Sequence, residues 1–370
     1  MTSSTIAPNT PHRVAVIGLR SVGGAHVRAW AAYQRANPHI RLVAVCDLDA
    51  ELCRRAAGEY GVPETYGSVD DLLARSDADL ITICLPTGLH ERMAAACFEQ
   101  GRHVLCEKPP ALDPDSAQRM AEAAAAASRV LAYGFQRRFH PQVRAALEVA
   151  KSGCTGPLFY GRCGWVRSEP NVGATVPWKL GASTGGGGLL NIGIHLLDVA
   201  WYLMGRPRPL TASAFGSTHG TRLVASAASL PLPADPAHDT TAALVRFEHD
   251  DGTPAALLVE SSLALHRLSP QGAATGSLAT GSQSVYCDLS GTEGGLSVYP
   301  PAFVSGRTVE PLAVEDDARE QTTRRLLIED FLRAVDTGTP PRATAEDGVA
   351  IMRIVDTIER SAGERRELSI

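Results

Sequence analysis

The chain is 370 residues long, with a formal net charge of −5 and 44% hydrophobic residues. This length favours two domains over a single core. The mildly acidic balance, without long runs of Lys or Arg, argues against binding to nucleic acid or to an anionic membrane surface. No segment offers the ~18 apolar residues that a membrane span requires. We therefore expect a small-molecule partner.

The eight cysteines are scattered along the chain and form no C-x-x-C pair. Several of them fall inside apolar segments, which is typical of reduced core thiols and not of disulfides or a zinc site. We accordingly expect a cytoplasmic protein that binds no metal.

The chain order predicts a short leader and two domains. Residues 1–11 contain no apolar signal core and no twin-arginine pair, so we expect a disordered leader. Residues 12–135 alternate apolar strands with helices, which predicts an α/β, doubly wound parallel sheet. Residues 136–370 are richer in strands and predict an α+β domain on a largely antiparallel open sheet, with roles in substrate binding and oligomerisation. We expect its C-terminal helices, at 322–335 and 344–362, to pack back on the first domain.

A glycine-containing loop follows the first strand and leads directly into a helix. In this context the glycines indicate a dinucleotide site, because a helix N-terminus offers amide groups to a pyrophosphate. Arginine replaces the usual middle glycine, so an ordinary glycine turn is the alternative, and the guanidinium could instead contact a phosphate. The candidate cofactor residues of this loop are Gly18, Leu19, Arg20, Ser21, Val22 and Gly23.

An acidic residue, Asp47, ends the second predicted strand. At this position a carboxylate accepts hydrogen bonds from the adenosine ribose hydroxyls and repels a 2′-phosphate. The sequence therefore favours NAD over NADP. The alternative is that Asp47 is a turn or helix-cap residue.

Polar residues also follow two later strands, in Leu85-Pro86-Thr87-Gly-Leu-His90 and in Glu107-Lys108-Pro109. Ligands of open α/β sheets sit at the carboxyl ends of the strands, so we expect Lys108 to face a ligand. The alternative is a solvated loop lysine.

A run of glycines at 185–188 precedes a predicted helix that carries a polar row beside an apolar stripe. Oxidation of an alcohol needs a base with a pKa near neutral, and the histidine of this row meets that requirement. We expect it to meet Lys108 at one substrate hydroxyl, and the alternative is a core histidine. The row is Asn191, His195, Asp198 and Tyr202, with Asp198 taken as structural, and the stripe is Leu190, Ile194, Leu197 and Trp201.

The order and spacing of these motifs resemble the Gfo/Idh/MocA family, named after glucose-fructose oxidoreductase and inositol dehydrogenase, over nearly the whole chain. The resemblance implies an N-terminal Rossmann domain and an NAD(P)-dependent oxidoreductase that acts on a secondary hydroxyl or ketone of a sugar, cyclitol or sugar derivative. It also implies a homodimer or homotetramer. Further matching segments are Gly134 to Phe139, Pro177-Trp178-Lys179, Gly291 to Leu296, Asp330-Phe-Leu and Gly338 to Pro341.

The resemblance also assigns roles to individual residues. It implies that His195 is the acid/base and that Lys108 positions the hydroxyl. The family pattern has aspartate where this chain has Asn191, whose amide can orient a neighbour by hydrogen bonding but carries no charge. The implied substrate contacts are Lys108, Trp165, Asn191 and His195; the further cofactor contacts are Leu85, Pro86, Thr87, His90, Glu107, Lys108, Gln136, Trp178 and Lys179.

Two other functions stay open at this point. One is a glycosidase that uses bound NAD to oxidise its substrate transiently and reduce it again. The other is a dinucleotide-binding regulator without turnover, which the substitutions at Arg20 and Asn191 would permit.

Overall fold

The computed structural model describes residues 11–167, 177–265, 283–314 and 320–370. The predicted leader lies outside these ranges apart from residue 11. The segment 267–283 is rich in Gly, Ser and Ala, which predicts an exposed loop; apart from its last residue it also lies outside the described ranges. The chain divides into two compact units, Met1–Phe139 with Asp317–Val349 and His140–Asp316 with Ala350–Ile370.

The sheet of the first unit has six parallel strands in the order β3-β2-β1-β4-β5-β6. Its central strands are buried on both faces, which explains their continuous apolar sequences. The strand order reverses between β1 and β4, which is where doubly wound sheets bind ligands. The predicted parallel sheet is confirmed. The strands are β1 (His12–Ile17), β2 (Ile40–Cys46), β3 (Glu64–Tyr66), β4 (Leu80–Ile83), β5 (His103–Cys106) and β6 (Leu131–Tyr133).

Five helices connect these strands, and three of them begin with a side-chain cap. Asp49, Ser68 and Asp113 each accept a hydrogen bond from an amide in the first turn of the helix that follows. These caps fix where the chain leaves the sheet edge. The helices are α1 (Val22–Ala36), α2 (Ala50–Tyr60), α3 (Val69–Arg75), α4 (His90–Glu99) and α5 (Pro114–Ala126).

The sheet of the second unit has nine described strands in the order β14-β13-β12-β11-β7-β10-β9-β8-β15. Between described strands every pairing is antiparallel apart from β7 with β10, which is parallel. The predicted, largely antiparallel open sheet is confirmed; β13, β14 and β15 were not foreseen. The strands are β7 (Leu158–Arg167), β8 (Arg208–Ser217), β9 (Thr240–Glu248), β10 (Pro254–Ser262), β11 (Gln283–Gly291), β12 (Gly295–Val298), β13 (Pro301–Ser305), β14 (Thr308–Pro311) and β15 (Leu368–Ser369).

The helix predicted after the glycine run differs from expectation in two ways. It starts with a π-helical turn, Leu189–Gly193, before the regular helix begins. Every residue of that regular helix is buried, so it has no solvent-facing side and is not amphipathic. Gly193 explains the close packing, because a Cβ there would lie 2.7 Å from the Cβ of Ser261 on β10. The helices of this unit are α6 (Pro141–Lys151), α7 (Ile194–Leu203) and α8 (His219–Ala227), of which α6 and α8 were not predicted.

Two long helices end the chain, α9 (Glu320–Thr337) and α10 (Ala345–Glu364). Helix α9 belongs to the first unit, where Leu327 and Phe331 pack in one hydrophobic core with Val16 and Trp30. Within the ranges that the structure describes, no helix has the length and apolar character needed to cross a membrane.

A buried histidine links the first strand to this late helix. His12 Nδ1 lies 2.7 Å from Asp79 Oδ2, and His12 Nε2 lies 2.7 Å from Asp336 Oδ1. Burial lowers the pKa of His12, but the hydrogen bonds and charges of the two carboxylates outweigh burial and raise the pKa above its usual 6.5. The charged ring is therefore favoured by folding.

Replacing His12 with Gln should lower the free energy of unfolding by about 2 kcal/mol in mildly acidic solution, because the charge-assisted hydrogen bonds are lost. The folded-state pKa is raised, so the contribution is complete below pH 6.5 and fades as the pH rises through the folded value. Urea unfolding at several pH values measures the difference. His39→Gln, in a partly exposed turn, is the control. A loss that does not depend on pH would contradict the argument.

Candidate functional site

The glycine loop after β1 requires glycine at both ends. Gly18 has a φ of 84°, and a Cβ there would lie 2.5 Å from the carbonyl oxygen of Cys84. A Cβ on Gly23 would lie 1.8 Å from the carbonyl oxygen of Gly18. This contact lets the first turn of α1 pack against the end of β1, where its amide groups suit a diphosphate.

The carboxylate of Asp47 holds this loop against the end of β2. Its Oδ2 accepts a hydrogen bond from the amide of Leu19 at 2.8 Å, and its Oδ1 accepts one from the amide of Asp49 at 2.9 Å. Each oxygen has a further lone pair, so the same carboxylate can still accept a ribose hydroxyl. Arg20 is exposed, and its Nη2 lies 2.9 Å from Asp49 Oδ2. The guanidinium is thus held beside the predicted ribose position.

The segment after β4 is joined to the segment after β5 by a histidine. His90 Nε2 lies 2.9 Å from the carbonyl oxygen of Leu85, and its Nδ1 lies 2.9 Å from that of Pro109. Burial lowers the pKa of His90 in spite of these carbonyl contacts. Pro86 is exposed and precedes the 3₁₀ turn Thr87–Leu89, in which Thr87 is buried. The strand-end residues predicted from sequence therefore lie on two neighbouring strands of one sheet edge.

Lys108 follows β5 and is partly exposed, whereas Glu107 and Pro109 on either side of it are buried. The Glu107 carboxylate lies 2.7 Å from His26 Nε2. Burial raises the pKa of Glu107, but the His26 hydrogen bond and the charges of His26, Arg324 and Lys108 outweigh burial and lower the pKa to about 2. Glu107 is therefore ionised at any physiological pH.

Gln136 lies just beyond β6, in the turn Gln136–Phe139. Its Oε1 is buried and accepts no hydrogen bond from any residue that the structure describes. Buried polar atoms normally find a partner, and a bound molecule with an amide or hydroxyl donor would supply one. Together with the glycine loop and Asp47, this atom gives the first unit a set of groups that fits a dinucleotide.

In the second unit, His195 is buried on α7 and packs beside Trp165 of β7. Their ring centroids are 6.0 Å apart with an interplanar angle of 41°. Asn191 lies in the π-helical turn and is partly exposed, while Asp198 and Tyr202 are buried further along α7. The aromatic contact restrains the plane of the imidazole, which is what a directed proton transfer needs.

Arg167 contacts Trp165, and Lys179 lies close enough to Arg167 for their charges to interact. The guanidinium carbon of Arg167 lies 5.5 Å from the centroid of the Trp165 ring. Lys179 closes the turn Pro177–Lys179; burial, and then the charge of Arg167, lower its pKa. The side chain of Trp178 lies outside the described residues. Sequence reasoning missed Arg167, although it shares a sheet face with Trp165 through the two-residue period of a strand.

Each unit brings some predicted site residues together. In the first, Leu19, Asp47, Leu85, His90, Glu107 and Lys108 are linked along one edge of the parallel sheet. In the second, Trp165 and His195 are in contact. Sequence reasoning also missed His26, three residues after Gly23 on α1, and Arg324 on α9. Helical spacing from the glycine loop could have indicated His26, whereas Arg324 carries no local signal.

Sequence models of two domains match the chain, the "Oxidoreductase family, NAD-binding Rossmann fold" over residues 12–135 and the "GFO/IDH/MocA C-terminal domain" over residues 143–297. The chain belongs to the Gfo/Idh/MocA family. The resemblance stated from its motifs is confirmed.

Two individual relatives are similar in sequence, and one solved structure shares the fold. D-glucoside 3-dehydrogenase of Escherichia coli K12 is 32% identical over 212 residues, which cover 56% of this chain and 58% of that protein. D-xylose 1-dehydrogenase (NADP(+)) 2 of Haloferax volcanii is 27% identical over 354 residues, covering 94% and 97%. The structure of an oxidoreductase domain protein from Kribbella flavida superposes with a TM-score of 0.80 at 24% identity, covering 98% of this chain and 99% of that one.

No group of three or more His, Cys, Asp or Glu side chains in the described ranges could hold a metal ion.

The Gly23→Ala substitution should weaken NADH binding by at least about tenfold, because the new Cβ would overlap the carbonyl oxygen of Gly18 and force the loop open. Titration of NADH fluorescence measures the effect. Gly58→Ala on α2 is the matched control, since a Cβ there meets no atom within 4 Å. Equal affinity in the Gly23 variant would show that this loop does not hold the cofactor.

Proposed function

We propose that the protein is an NAD-dependent dehydrogenase or reductase that transfers a hydride between nicotinamide and a secondary hydroxyl or ketone of a sugar, cyclitol or sugar derivative. The observation that carries the proposal is the placement of Lys108 at the carboxyl end of β5, partly exposed between buried neighbours on the sheet edge that holds the cofactor loop. Family membership and the glucoside and xylose dehydrogenase relatives support the substrate class.

In this proposal the protein's own residues manage the proton and the orientation of the alcohol. When the hydroxyl is oxidised, His195 takes its proton as general base, and in the reverse direction it returns that proton to the carbonyl oxygen. The ammonium of Lys108 stabilises negative charge on the same oxygen and holds the reacting carbon in line. Bound NAD would supply the hydride acceptor.

Asn191 has a smaller proposed role in the reaction than His195 and Lys108. Its amide can hydrogen-bond to the substrate or to the histidine, but it cannot stabilise an imidazolium by charge as the aspartate of the family pattern would. We therefore assign it to orienting the substrate.

The cofactor preference is proposed to be NAD, on the evidence of the Asp47 carboxylate. The Asp47 carboxylate accepts a hydrogen bond from Leu19 at the start of the glycine loop, where its charge would repel a 2′-phosphate. The positive charge of Arg20 would attract a 2′-phosphate, but its guanidinium forms an ion pair with Asp49. Leu85, Pro86, Thr87, His90, Gln136, Trp178 and Lys179 remain the proposed further cofactor contacts.

We propose a homodimer or homotetramer formed through the open sheet. Tyr160, Phe215 and Leu258 lie on one face of that sheet and are 40%, 63% and 41% exposed. Exposed apolar side chains grouped in this way often mark an interface. Light scattering in solution measures the mass, and a monomer would contradict the proposal.

The eight cysteines are free and seven are buried, which supports a reducing, cytoplasmic location.

The first test is a screen of sugars and polyols with NAD and NADP, following NADH formation. Net NADH formation is the result expected from a dehydrogenase. Hydrolysis of a glycoside without net NADH would indicate the redox-assisted glycosidase, and cofactor binding without any turnover would indicate the regulator.

The Asp47→Ser substitution should reduce the preference for NAD over NADP, because the charge that repels a 2′-phosphate is removed. Affinity for NAD should also fall, since the amides of Leu19 and Asp49 lose their acceptor. Parallel titrations with NADH and NADPH measure both effects. Asp113→Ser, at the cap of α5, is a matched control. An unchanged ratio of the two affinities would place the ribose elsewhere.

The His195→Ala substitution should lower kcat by about two to four orders of magnitude, the usual contribution of a general base. Steady-state kinetics with a substrate found in the screen measures it. His219→Ala, at the start of α8, is the control.

Lys108→Met in the same assay should also lower kcat. If both residues act on one oxygen, the double variant will lose much less than the product of the two single losses. Strictly multiplicative losses would mean that the two residues serve different steps, and wild-type kcat in His195→Ala would remove the histidine from the mechanism.

A further inference from the structure

The carboxylate of Glu107 is the centre of a buried polar cluster that the proposed chemistry does not use. Its Oε1 lies 2.7 Å from His26 Nε2 and 3.4 Å from Arg324 Nη1. Arg324 Nη1 and His26 Nε2 lie 3.1 Å from each other. His26, Glu107 and Arg324 are 0%, 3% and 4% exposed. We call these three residues the buried triad.

The members of the buried triad come from three different elements of the first unit. His26 lies in the first half of α1, the helix that starts at the glycine loop, and Glu107 follows β5. Arg324 lies on α9, 217 residues after Glu107. The triad therefore ties the strand end that carries Lys108 to the cofactor helix and to a distant helix.

The charge of Glu107 determines the direction of its hydrogen bonds. With a pKa lowered to about 2 the carboxylate is ionised and can only accept, so His26 Nε2 carries a hydrogen and donates it. Oε2, the other oxygen, accepts a hydrogen bond from the backbone amide of Lys108 at 3.2 Å. Gly134 leaves room for this, because a Cβ there would lie 2.9 Å from Glu107 Cδ.

The chain on the other side of Lys108 is also held by a buried side chain. His90 Nδ1 lies 2.9 Å from the carbonyl oxygen of Pro109 and 3.3 Å from that of Pro110. The backbone is thus fixed immediately before and immediately after the lysine, whose own side chain is partly exposed.

We propose that the buried triad is a positioning device for Lys108, in which His26 and Arg324 hold Glu107 and Glu107 holds the backbone of the lysine. Glu107 then acts through Lys108, in place of the cofactor contact that the family resemblance implies. His26 and Arg324 are positioning residues and touch neither substrate nor cofactor. The catalytic part of this inference rests on the proposed function of Lys108.

The benefit of such a device follows from the chemistry. A lysine side chain has many rotamers, so the place of its ammonium depends on a fixed starting point in the backbone. A misplacement of about 1 Å can cost about 100-fold in rate even when binding is unaffected. Loosening the triad should therefore lower kcat and leave affinity for the cofactor unchanged.

A pair of substitutions at His26 separates positioning from mere packing. Gln places its amide nitrogen near the position of His Nε2 and keeps the donor to Glu107, whereas Asn reaches only to the position of Nδ1 and loses it. We expect His26→Asn to lower kcat by about 10- to 100-fold with KM and the NADH Kd within about twofold of wild type. His26→Gln should recover most of that kcat.

Arg324→Gln should lower kcat in the same way. Its control is Arg325→Gln, the next residue on α9, which loses only an exposed ion pair with Glu329 and should behave like wild type. Thermal unfolding of all variants checks that each is folded under the assay conditions.

A second measurement needs no substrate. Hydrogen exchange of the Lys108 amide, followed by mass spectrometry of a peptide that spans it, reports whether its bond to Glu107 persists. Exchange should be at least about tenfold faster in His26→Asn than in wild type, and close to wild type in His26→Gln.

The activity assay and the exchange measurement test separate claims. A protein that oxidises no sugar overturns the proposed function, while the exchange data still decide whether the triad holds Lys108. Unchanged exchange and unchanged kcat in His26→Asn would overturn the triad's role. Equal losses in the Asn and Gln variants, or a parallel loss of NADH affinity, would show a structural role in place of positioning.

Discussion

The contact between Gly23 and the carbonyl oxygen of Gly18 sets the geometry on which the rest of the first unit depends. Any side chain at Gly23 would overlap that oxygen, so α1 can approach the end of β1 only because Gly23 lacks one. The approach of α1 brings His26 to Glu107, one helical turn further on. Through Glu107 it reaches Lys108. The absence of a side chain at Gly23 therefore allows the charged contacts at the end of β5 to form.

Burial of the three charged or polar groups of the triad costs hydration free energy, and this cost bears on why the cluster is present. Each buried charge loses several kcal/mol of hydration, and a buried ion cluster recovers that loss only when its hydrogen bonds are well made. Apolar residues of similar volume would often be as stable or more so. The chain nevertheless places a carboxylate, a guanidinium and an imidazole within 3.4 Å of one another beside Lys108. A functional reason for the position of that lysine explains this better than stability does.

The sequence predicted the parallel sheet well, because strands buried on both faces have continuous apolar sequences that end abruptly in polar residues. The same polar strand ends led to the prediction of Asp47 and Lys108 as site residues. The sequence could not indicate that Arg324 meets Glu107, since nothing local marks a contact over 217 residues. The parallel pairing of β7 with β10 is equally non-local. The π-helical turn at Leu189–Gly193 packs closely against Ser261, and a helical pattern alone does not reveal that contact.

The predicted site residues of each unit are positioned by contacts within that unit. In the first unit, backbone amides, carbonyls and ion pairs fix Asp47, His90 and Glu107, so their geometry tolerates few other residue types. In the second, His195 is restrained by an aromatic ring on a neighbouring strand. The same ring packs beside a hydrophobic cluster that includes Leu180 and Ile192, so it belongs to the core of the second unit as well as to the surroundings of the histidine. Because a fold takes its function from the side chains that it carries, a change at Trp165 would alter the surroundings of His195 and the packing of the second unit together.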